Sequence, residues 1–399
     1  MDEPRLASVP GIRLGTAAAG IKRMDRDDLL VIEMVAGGTT AAVFTRNAFC
    51  AAPVVVAREN LYRRPRWLLI NSGNANAGTG KRGLKDARRC CASLAASAGG
   101  TADQVLPFST GVIGEYLPVG KIEAALLSAL QNMTEDAWGR AARAIMTTDT
   151  RPKAASRIID LGSERVTLTG IAKGAGMIQP NMATMLAFIG TDAALSSEAL
   201  QRCLSEVADL TFNCITVDGD TSTNDACVLL ASAVSSVPPI EPGTRAYRRF
   251  REGLFEVCGS LAESIVRDGE GATKLIRVVV EQARDESEAR EVAKAVAHSP
   301  LVKTACFASD PNWGRILAAV GRAPCLELDI GGVAIWLGDV AIVTGGERAP
   351  SYSEEAGQEV MNQAEILIRI ALGRGPATQT VLTCDLSYDY VRINAEYRT

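Results

Sequence analysis

Short hydrophobic runs open and close the chain, and longer helical stripes lie between them. Leu29-Leu30-Val31-Ile32-Glu33-Met34-Val35, Ala41-Ala42-Val43-Phe44, Pro53-Val54-Val55-Val56 and Trp67-Leu68-Leu69-Ile70 are brief and rich in branched aliphatic residues, so they read as strands. Asn71-Ser72-Gly73-Asn74-Ala75-Asn76 then reads as turns. Residues 85–98 and 119–130 carry helical periodicity, the second with Ile122, Leu126, Leu127 and Leu130 on one face. Ser196 or Ser197 caps a helix that aligns Leu200, Cys203, Leu204, Val207 and Leu210. Residues 285–298 predict a more exposed helix. The last third returns to strands at 325–328, 333–336, 340–343, 379–382 and 390–393. Strands and helices mix without regular βαβ alternation, which predicts layered α+β architecture rather than a doubly wound sheet. No repeat or low-complexity linker interrupts the pattern.

Length and composition narrow the function classes. A chain of 399 residues has room for two or three domains. Hydrophobic and charged fractions of 47% and 22% are those of a soluble globular protein. A net charge of -4 gives no reason to expect nucleic acid or a membrane surface as partner. The start, Met1-Asp2-Glu3-Pro4-Arg5, lacks the basic region and apolar stretch of a secretory signal, and no apolar run is long enough to span a bilayer. A cytoplasmic location is expected. The ten cysteines show no C-x-x-C spacing, and Cys90-Cys91 are adjacent, so buried structural thiols are expected. The single histidine, His298, sits at an expected helix C-terminus, where a histidine suits the dipole. A histidine general base is therefore not expected, which disfavours Ser-His-Asp, Cys-His and His-rich metal chemistry together.

Gly78-Thr79-Gly80-Lys81-Arg82-Gly83 matches the dinucleotide fingerprint G-x-G-x-x-G. The polar stretch 71–77 separates it from the strand, and no acidic residue closes a following strand at the required distance. It is read as a surface loop. The centre of the chain is richer in chemistry. Residues 170–176 form a glycine-rich stretch with one lysine, Lys173, read as a loop. Pro180-Asn181 and small residues follow, and an apolar run from Thr184 reads as a buried strand. A hydroxyl at the edge of such a strand is a candidate nucleophile; a turn entering a core strand is the plain alternative.

The run Lys173-Gly174-Ala175-Gly176-Met177-Ile178, with Pro180-Asn181-Met182-Ala183-Thr184-Met185-Leu186, closely resembles the cleavage region of the ornithine acetyltransferase family, also called bifunctional glutamate N-acetyltransferase, of arginine biosynthesis. Segments 71–77, 109–114, 147–150, 218–225, 269–274, 310–315 and 394–399 match in order, so the resemblance covers nearly the whole chain. It implies an αββα-type sandwich with a smaller C-terminal α/β domain. It implies self-cleavage between Ala183 and Thr184, giving an alpha chain 1–183 and a beta chain 184–399, with the smaller domain from about 285. The Thr184 hydroxyl attacks the preceding carbonyl, the acyl group shifts to oxygen, and water opens the ester. The new α-amine, with a pKa of about 8, then serves as base for its own hydroxyl.

The same resemblance implies an oxyanion hole made by the Thr110 hydroxyl and the Gly111 N–H, one such donor typically lowering a barrier by roughly 3 kcal/mol. It implies ping-pong transfer, in which N2-acetylornithine acylates Thr184 and glutamate removes the acetyl group. Lys173 matches the cation for the substrate α-carboxylate and Glu270 the carboxylate for substrate amines. Thr150, Asn394 and the terminal Thr399 match further substrate contacts, although Thr147 and Thr148 lie beside Thr150 with the same side chain. No cofactor and no metal are implied, and acetyl-CoA is expected as a second acetyl donor. The chains are expected to assemble as two alpha and two beta. Residues 218–225 carry only part of the spacing of a calcium loop and read as structural. Two other classes fit a self-processing threonine chain less well: an amidohydrolase or aminopeptidase in which water accepts the acyl group, and a non-catalytic binding protein of the same fold.

Overall fold

The structure is a computed structural model that describes residues 6–22, 24–162, 164–179, 185–325 and 327–396. It divides into two compact units. The first comprises Met1–Gly174, Gln179–Asn213 and Thr221–Ile265; the second comprises Ala175–Ile178, Cys214–Asp220 and Val266–Thr399.

The first unit begins with β1 (Ile12–Ala17), β2 (Leu29–Met34), β3 (Thr39–Phe44), α1 (Ala52–Asn60), β4 (Trp67–Asn74) and α2 (Gly80–Ala98). It continues with β5 (Val105–Val112), α3 (Val119–Gln131), α4 (Trp138–Ala144), β6 (Lys153–Asp160), β7 (Arg165–Lys173) and β8 (Leu186–Thr191). It ends with α5 (Ser197–Leu210), β9 (Ala226–Ala231) and α6 (Arg245–Arg267), whose last two residues count with the second unit. Two sheets result, in the orders β1-β2-β4-β5 and β3-β9-β8-β7-β6.

Side-chain alternation explains the layering. Leu30 and Ile32 of β2, Leu68 and Ile70 of β4 and Phe108 of β5 share one core with Ile171, Phe188, Val228 and Leu230 of the other sheet. The rings of Phe108 and Phe188 meet edge to face at 5.2 Å. The intervening residues Leu29, Val31, Trp67 and Leu69 point the other way, against Cys90, Cys91 and Leu94 of α2 and Ile122 and Leu126 of α3. A sheet covered on both faces needs apolar residues on both, which is why these strands read as unbroken hydrophobic runs. Over the second sheet, Val257 and Leu261 of α6 crowd the bare Gly170 of β7. Gln201 of α5 exchanges two hydrogen bonds of 3.1 Å with the backbone of Ala42 on the edge strand β3. The layers run helix, sheet, sheet, helix, the α+β sandwich that the resemblance implies.

Four local expectations are corrected here. Residues 53–56 are helical, not extended: Pro53 occupies the first turn of α1, where its missing N–H costs nothing, and Val54, Val56 and Ala57 are buried. Residues 71–74 do not turn but extend β4, because their polar side chains find buried partners. Residues 170–173 are the end of β7 rather than a loop. Gly80-Lys81-Arg82-Gly83 is the first turn of α2, and a Cβ on Gly83 would stand 1.9 Å from the Thr79 hydroxyl.

The second unit contains β10 (Leu275–Ala283), α7 (Glu286–Ala297), α8 (Pro300–Phe307), α9 (Trp313–Gly321), β11 (Ala334–Leu337), β12 (Val340–Thr344) and β13 (Glu347–Arg348). It closes with α10 (Glu354–Met361), β14 (Glu365–Ala371), β15 (Ala377–Cys384) and α11 (Tyr388–Ala395). Its sheet runs β13-β12-β11-β14-β10-β15, with β10 and β14 parallel. Val278 and Val280 pack with Val292 and Val296 of α7 and Val320 of α9. Since β10 lies between β14 and β15, this unit takes in strand residues well ahead of 285. Residues 390–393 are helical rather than extended: the Ser387 hydroxyl accepts from Tyr390 N–H and starts α11. Around 325–328 the expected strand does not form, since Glu327 takes φ 55° and Cys325 N–H closes a turn onto Ala323; Leu326 lies outside the described residues.

Candidate active site

Thr110 and Gly111 lie near the end of β5, which runs parallel to β4 with Ser72 opposite Thr110 and Gly73 opposite Gly111. Gly111 has φ 133°, and a Cβ there would meet the Gly73 carbonyl carbon at 2.3 Å and the Asn74 nitrogen at 2.6 Å. Only glycine permits this approach. Amide side chains knit the same strand ends together. Ser109 Oγ donates to Asn71 Oδ1 at 2.6 Å, and Asn71 Nδ2 donates to Asn74 O at 2.9 Å. Asn224 Nδ2 donates to both Ala75 O (2.7 Å) and Ser109 O (2.9 Å). Buried polar groups paired in this way fix a backbone rigidly.

Lys173 ends β7, and its Nζ donates to Thr110 Oγ1 at 3.1 Å. An ammonium can only donate, so the threonine oxygen is the acceptor and its own proton stays available to a further group. Asp149 completes the cluster. It is buried and accepts from Lys153 Nζ (2.6 Å), Gly174 N–H (2.7 Å) and Thr147 N–H (2.9 Å). Burial alone would raise its pKa, but the charges of Lys173 and Lys153 and these hydrogen bonds outweigh it and bring the carboxyl down to about 2. Lys153, at the start of β6, is itself fully buried and ion-paired to Asp149. Thr150, one residue further, is exposed.

In the second unit, Glu270 is buried and its N–H donates to Ala175 O at 2.8 Å. Its carboxylate accepts from Asn394 Nδ2 of α11 at 2.8 Å. The carboxylate lies so close to Gly176 that a Cβ there would stand 2.4–2.6 Å from its three atoms. Asp218 accepts from the N–H groups of Met177 (2.6 Å) and Ile178 (2.9 Å) and from the Tyr390 hydroxyl (3.4 Å), which latches segment 175–178 in place. The structure thus joins Thr110 to Lys173 within one unit and Glu270 to Asn394 within the other. Ala183, Thr184 and Thr399 lie outside the described residues.

Asp149, Lys153 and Asn224 escaped the reading of the sequence. The only trace of the first two was a carboxylate between threonines with a lysine four residues on. Eight cysteines are buried and Cys50 and Cys325 are half-buried. Burial pushes the Cys90 and Cys203 thiols up to about 12, so both stay protonated. His298 does follow α7, but it is no cation at a helix end. Burial, with Lys294, Lys303 and Arg322 nearby, lowers its pKa to about 4. Among the described residues no group of His, Cys, Asp and Glu side chains is arranged to hold a metal ion. None of the described helices is long and apolar enough to cross a membrane.

The sequence profile of the ArgJ family matches residues 13–399. The chain is 63% identical over 399 residues to the arginine biosynthesis bifunctional protein ArgJ of Methylococcus capsulatus, covering 100% of this chain and 98% of that one. It is 53% identical over 397 residues to the protein of the same name from Pseudomonas fluorescens, covering 99% and 98%. Among solved structures, the arginine biosynthesis bifunctional protein ArgJ of Bacillus halodurans aligns with 42% identity and a TM-score of 0.50, over 52% of this chain and 96% of that one. With a profile matched from residue 13 to the last residue and relatives this similar over their full lengths, the chain belongs to the ArgJ family.

Proposed function

We propose that this enzyme of arginine biosynthesis moves an acetyl group from N2-acetylornithine to glutamate through an acetyl-threonine on Thr184, after cutting itself between Ala183 and Thr184. Its full-length relatives are named bifunctional, which supports acetyl-CoA as a second donor for N-acetylglutamate synthesis. The observation that carries the reading is the 3.1 Å hydrogen bond from Lys173 to Thr110. It brings together the two side chains that an acyl transfer needs beside its nucleophile: a hydroxyl for the tetrahedral oxyanion and a cation for a substrate carboxylate. The ammonium polarises the Thr110 hydroxyl and leaves its proton for the oxyanion, with the Gly111 N–H as second donor. Asp149 stays ionised throughout the working pH range and sets a negative charge beside both lysines.

The glycine requirement at Gly111 and Gly176 supports the same reading, since each lets a backbone or carboxylate come unusually close. Glu270, oriented by Asn394, is assigned to the substrate amine, and Thr150 and Thr399 to further substrate contacts. The α-amine of Thr184 acts as the base, in keeping with a neutral, half-buried histidine. A solved family chain that spans 52% of this one has about the length of one scission product, which supports self-cleavage. The products are assigned to a cytoplasmic assembly of two alpha and two beta chains, with no cofactor.

The test combines mass and turnover. Intact mass of the purified protein should give two fragments, the second beginning at Thr184. Ornithine release from N2-acetylornithine should be fast with glutamate and slow without it. Equal release in both would make the enzyme a hydrolase, and a single uncut active chain would overturn the assignment of Thr184.

A further inference from the structure

The helix that carries Asn394 has little of its own to hold it. α11 spans eight residues, too few for a helix to persist unaided, and none of them is buried. Contacts at its start fix its place. The Tyr388 ring meets Phe307 of α8 edge to face at 5.6 Å, and the Tyr390 hydroxyl reaches Asp218 at 3.4 Å. A third contact runs through Ser387, which is buried. Its oxygen accepts from Tyr390 N–H at 3.4 Å, which caps α11, and its proton goes to Gly271 O at 2.6 Å. A hydroxyl has one proton, so the Gly271 carbonyl takes its whole donating capacity. Gly271 directly follows Glu270. It has φ 70°, and a Cβ there would stand 2.5 Å from Tyr390 N and 2.7 Å from Ser387 Oγ, so the turn and the helix touch. The far end of the turn is fixed separately. Asp385 accepts from Thr273 N–H (2.8 Å), the Thr273 hydroxyl (2.5 Å) and Lys274 N–H (2.9 Å). Lys274 Nζ donates to Cys306 O (2.8 Å), Ser309 Oγ (2.6 Å) and Met361 O (2.6 Å). Roughly two helical turns beyond Ser387, Asn394 Nδ2 donates to Tyr390 O (3.0 Å) and to the Glu270 carboxylate (2.8 Å).

We propose that Ser387 is a positioning residue for the substrate amine: its hydroxyl joins the turn that carries Glu270 to the helix that carries Asn394, and so sets how the amide meets the carboxylate. This rests on the reading of Glu270 as the group that receives the amine. Ser387 acts through the two residues it joins. The turn is a fixed floor, pinned by Asp385 and Lys274, and the serine ties its middle to the helix start. With that tie made, α11 has one seating and Asn394 holds the carboxylate in one direction. With the tie cut, the Tyr388 and Tyr390 contacts still keep the helix in its neighbourhood. Amine binding then weakens while the chemical step changes little.

The experiment measures ornithine binding to the purified full protein by calorimetry, beside steady-state kinetics with N2-acetylornithine at saturating glutamate. Ser387→Ala, shown to be folded by a thermal melt, should raise the ornithine Kd and the KM by about 10-fold and change kcat by less than about 3-fold. Ser387→Thr keeps the donor and the acceptor and should return both to wild-type values. Ser387→Ala combined with Asn394→Ala should weaken binding no more than the larger single change, because both cut one chain of contacts. A folded Ser387→Ala protein with wild-type Kd and KM, or full additivity with Asn394→Ala, overturns the proposal. If Ser387→Ala does not fold, Ser387→Asp is judged by the same criteria: ionised aspartate caps a helix as well as serine does but cannot donate to Gly271 O. If neither folds, Ser387 serves the fold alone and the proposal fails. A Glu270→Gln protein that binds ornithine as tightly as wild type overturns the reading of Glu270 instead.

Discussion

Lys173 donates to the Thr110 hydroxyl at 3.1 Å, so the positive end of one strand holds the hydroxyl of another as an acceptor. With its acceptor side engaged, that hydroxyl has a single direction left in which to donate. Thr110→Ala should therefore lower kcat for acetyl transfer by about 100- to 1000-fold, while KM changes little. Thr110→Ser should keep most of the rate. Steady-state kinetics with saturating glutamate would decide; an Ala variant near wild-type kcat would remove Thr110 from the oxyanion hole.

Gly111→Ala tests the backbone beside it. A methyl group would stand 2.3 Å from the Gly73 carbonyl carbon at a φ of 133°, and both contacts are backbone that cannot swing aside. A loss of at least about 2 kcal/mol in stability is expected, with activity falling in the fraction that still folds. Urea unfolding of a Thr184→Ala background keeps the comparison free of cleavage.

Asp149→Asn takes the carboxylate charge away from the buried ammonium of Lys153. Removing one member of a buried pair typically costs about 3–5 kcal/mol. Asp149 is also a pH sensor with a definite sign. Its folded pKa of about 2 lies below its ordinary 3.8, so its contribution is fully present above pH 4 and disappears as pH falls toward 2. The Asn variant should show a flatter acid limb in denaturant midpoints over that window.

His298 works in a higher window. Its pKa is lowered from 6.5 to about 4, so folding favours the neutral ring. Stability is full above pH 6.5 and falls as pH drops toward 4, by up to about 3 kcal/mol at 1.36 kcal/mol per pH unit. His298→Gln should remove that slope between pH 6.5 and 4 and leave the neutral-pH plateau largely unchanged, as read from unfolding at a series of pH values.

Gly176→Ala would push against the Glu270 carboxylate, which has no space for a methyl group. With Glu270 in its proposed role of binding the substrate amine, KM for the amine substrate should rise by about 10-fold or more with a smaller effect on kcat. Asn394→Ala, which removes the 2.8 Å hydrogen bond to that carboxylate, should move KM in the same direction.

The sequence reads well where burial and local preference agree. Of the expected stripe Leu200, Cys203, Leu204 and Val207 are buried, while Leu210 at the helix end is exposed, and Ser196 caps the helix by accepting from Ala199 N–H. It reads poorly where the two part. Valines at 54–56 favour extended chain by themselves, yet packing and Pro53 make them helical. Residues 390–393 alternate like a strand, but the Ser387 cap settles the matter. The polar run 71–74 looks like a turn only until its partners are known, and those that hold this strand end, such as Ser109 and Asn224, lie far along the chain. The site follows the same rule. Thr110, Lys173 and Glu270 took their expected roles from recognisable segments, whereas Asp149, in a segment that matches equally, gains its role only from what surrounds it in space.

The strand order of the second sheet has a practical outcome for the proposed cut after residue 183. Strands β8 and β9 belong to the later piece, and they are flanked by β3 on one side and β7 on the other, both from the earlier piece. Severing the link between β7 and β8 removes none of these ladders, so each product is threaded through the other's sheet like interlaced fingers. The pieces should co-purify through any column run in native buffer and separate only when the whole sheet is unfolded.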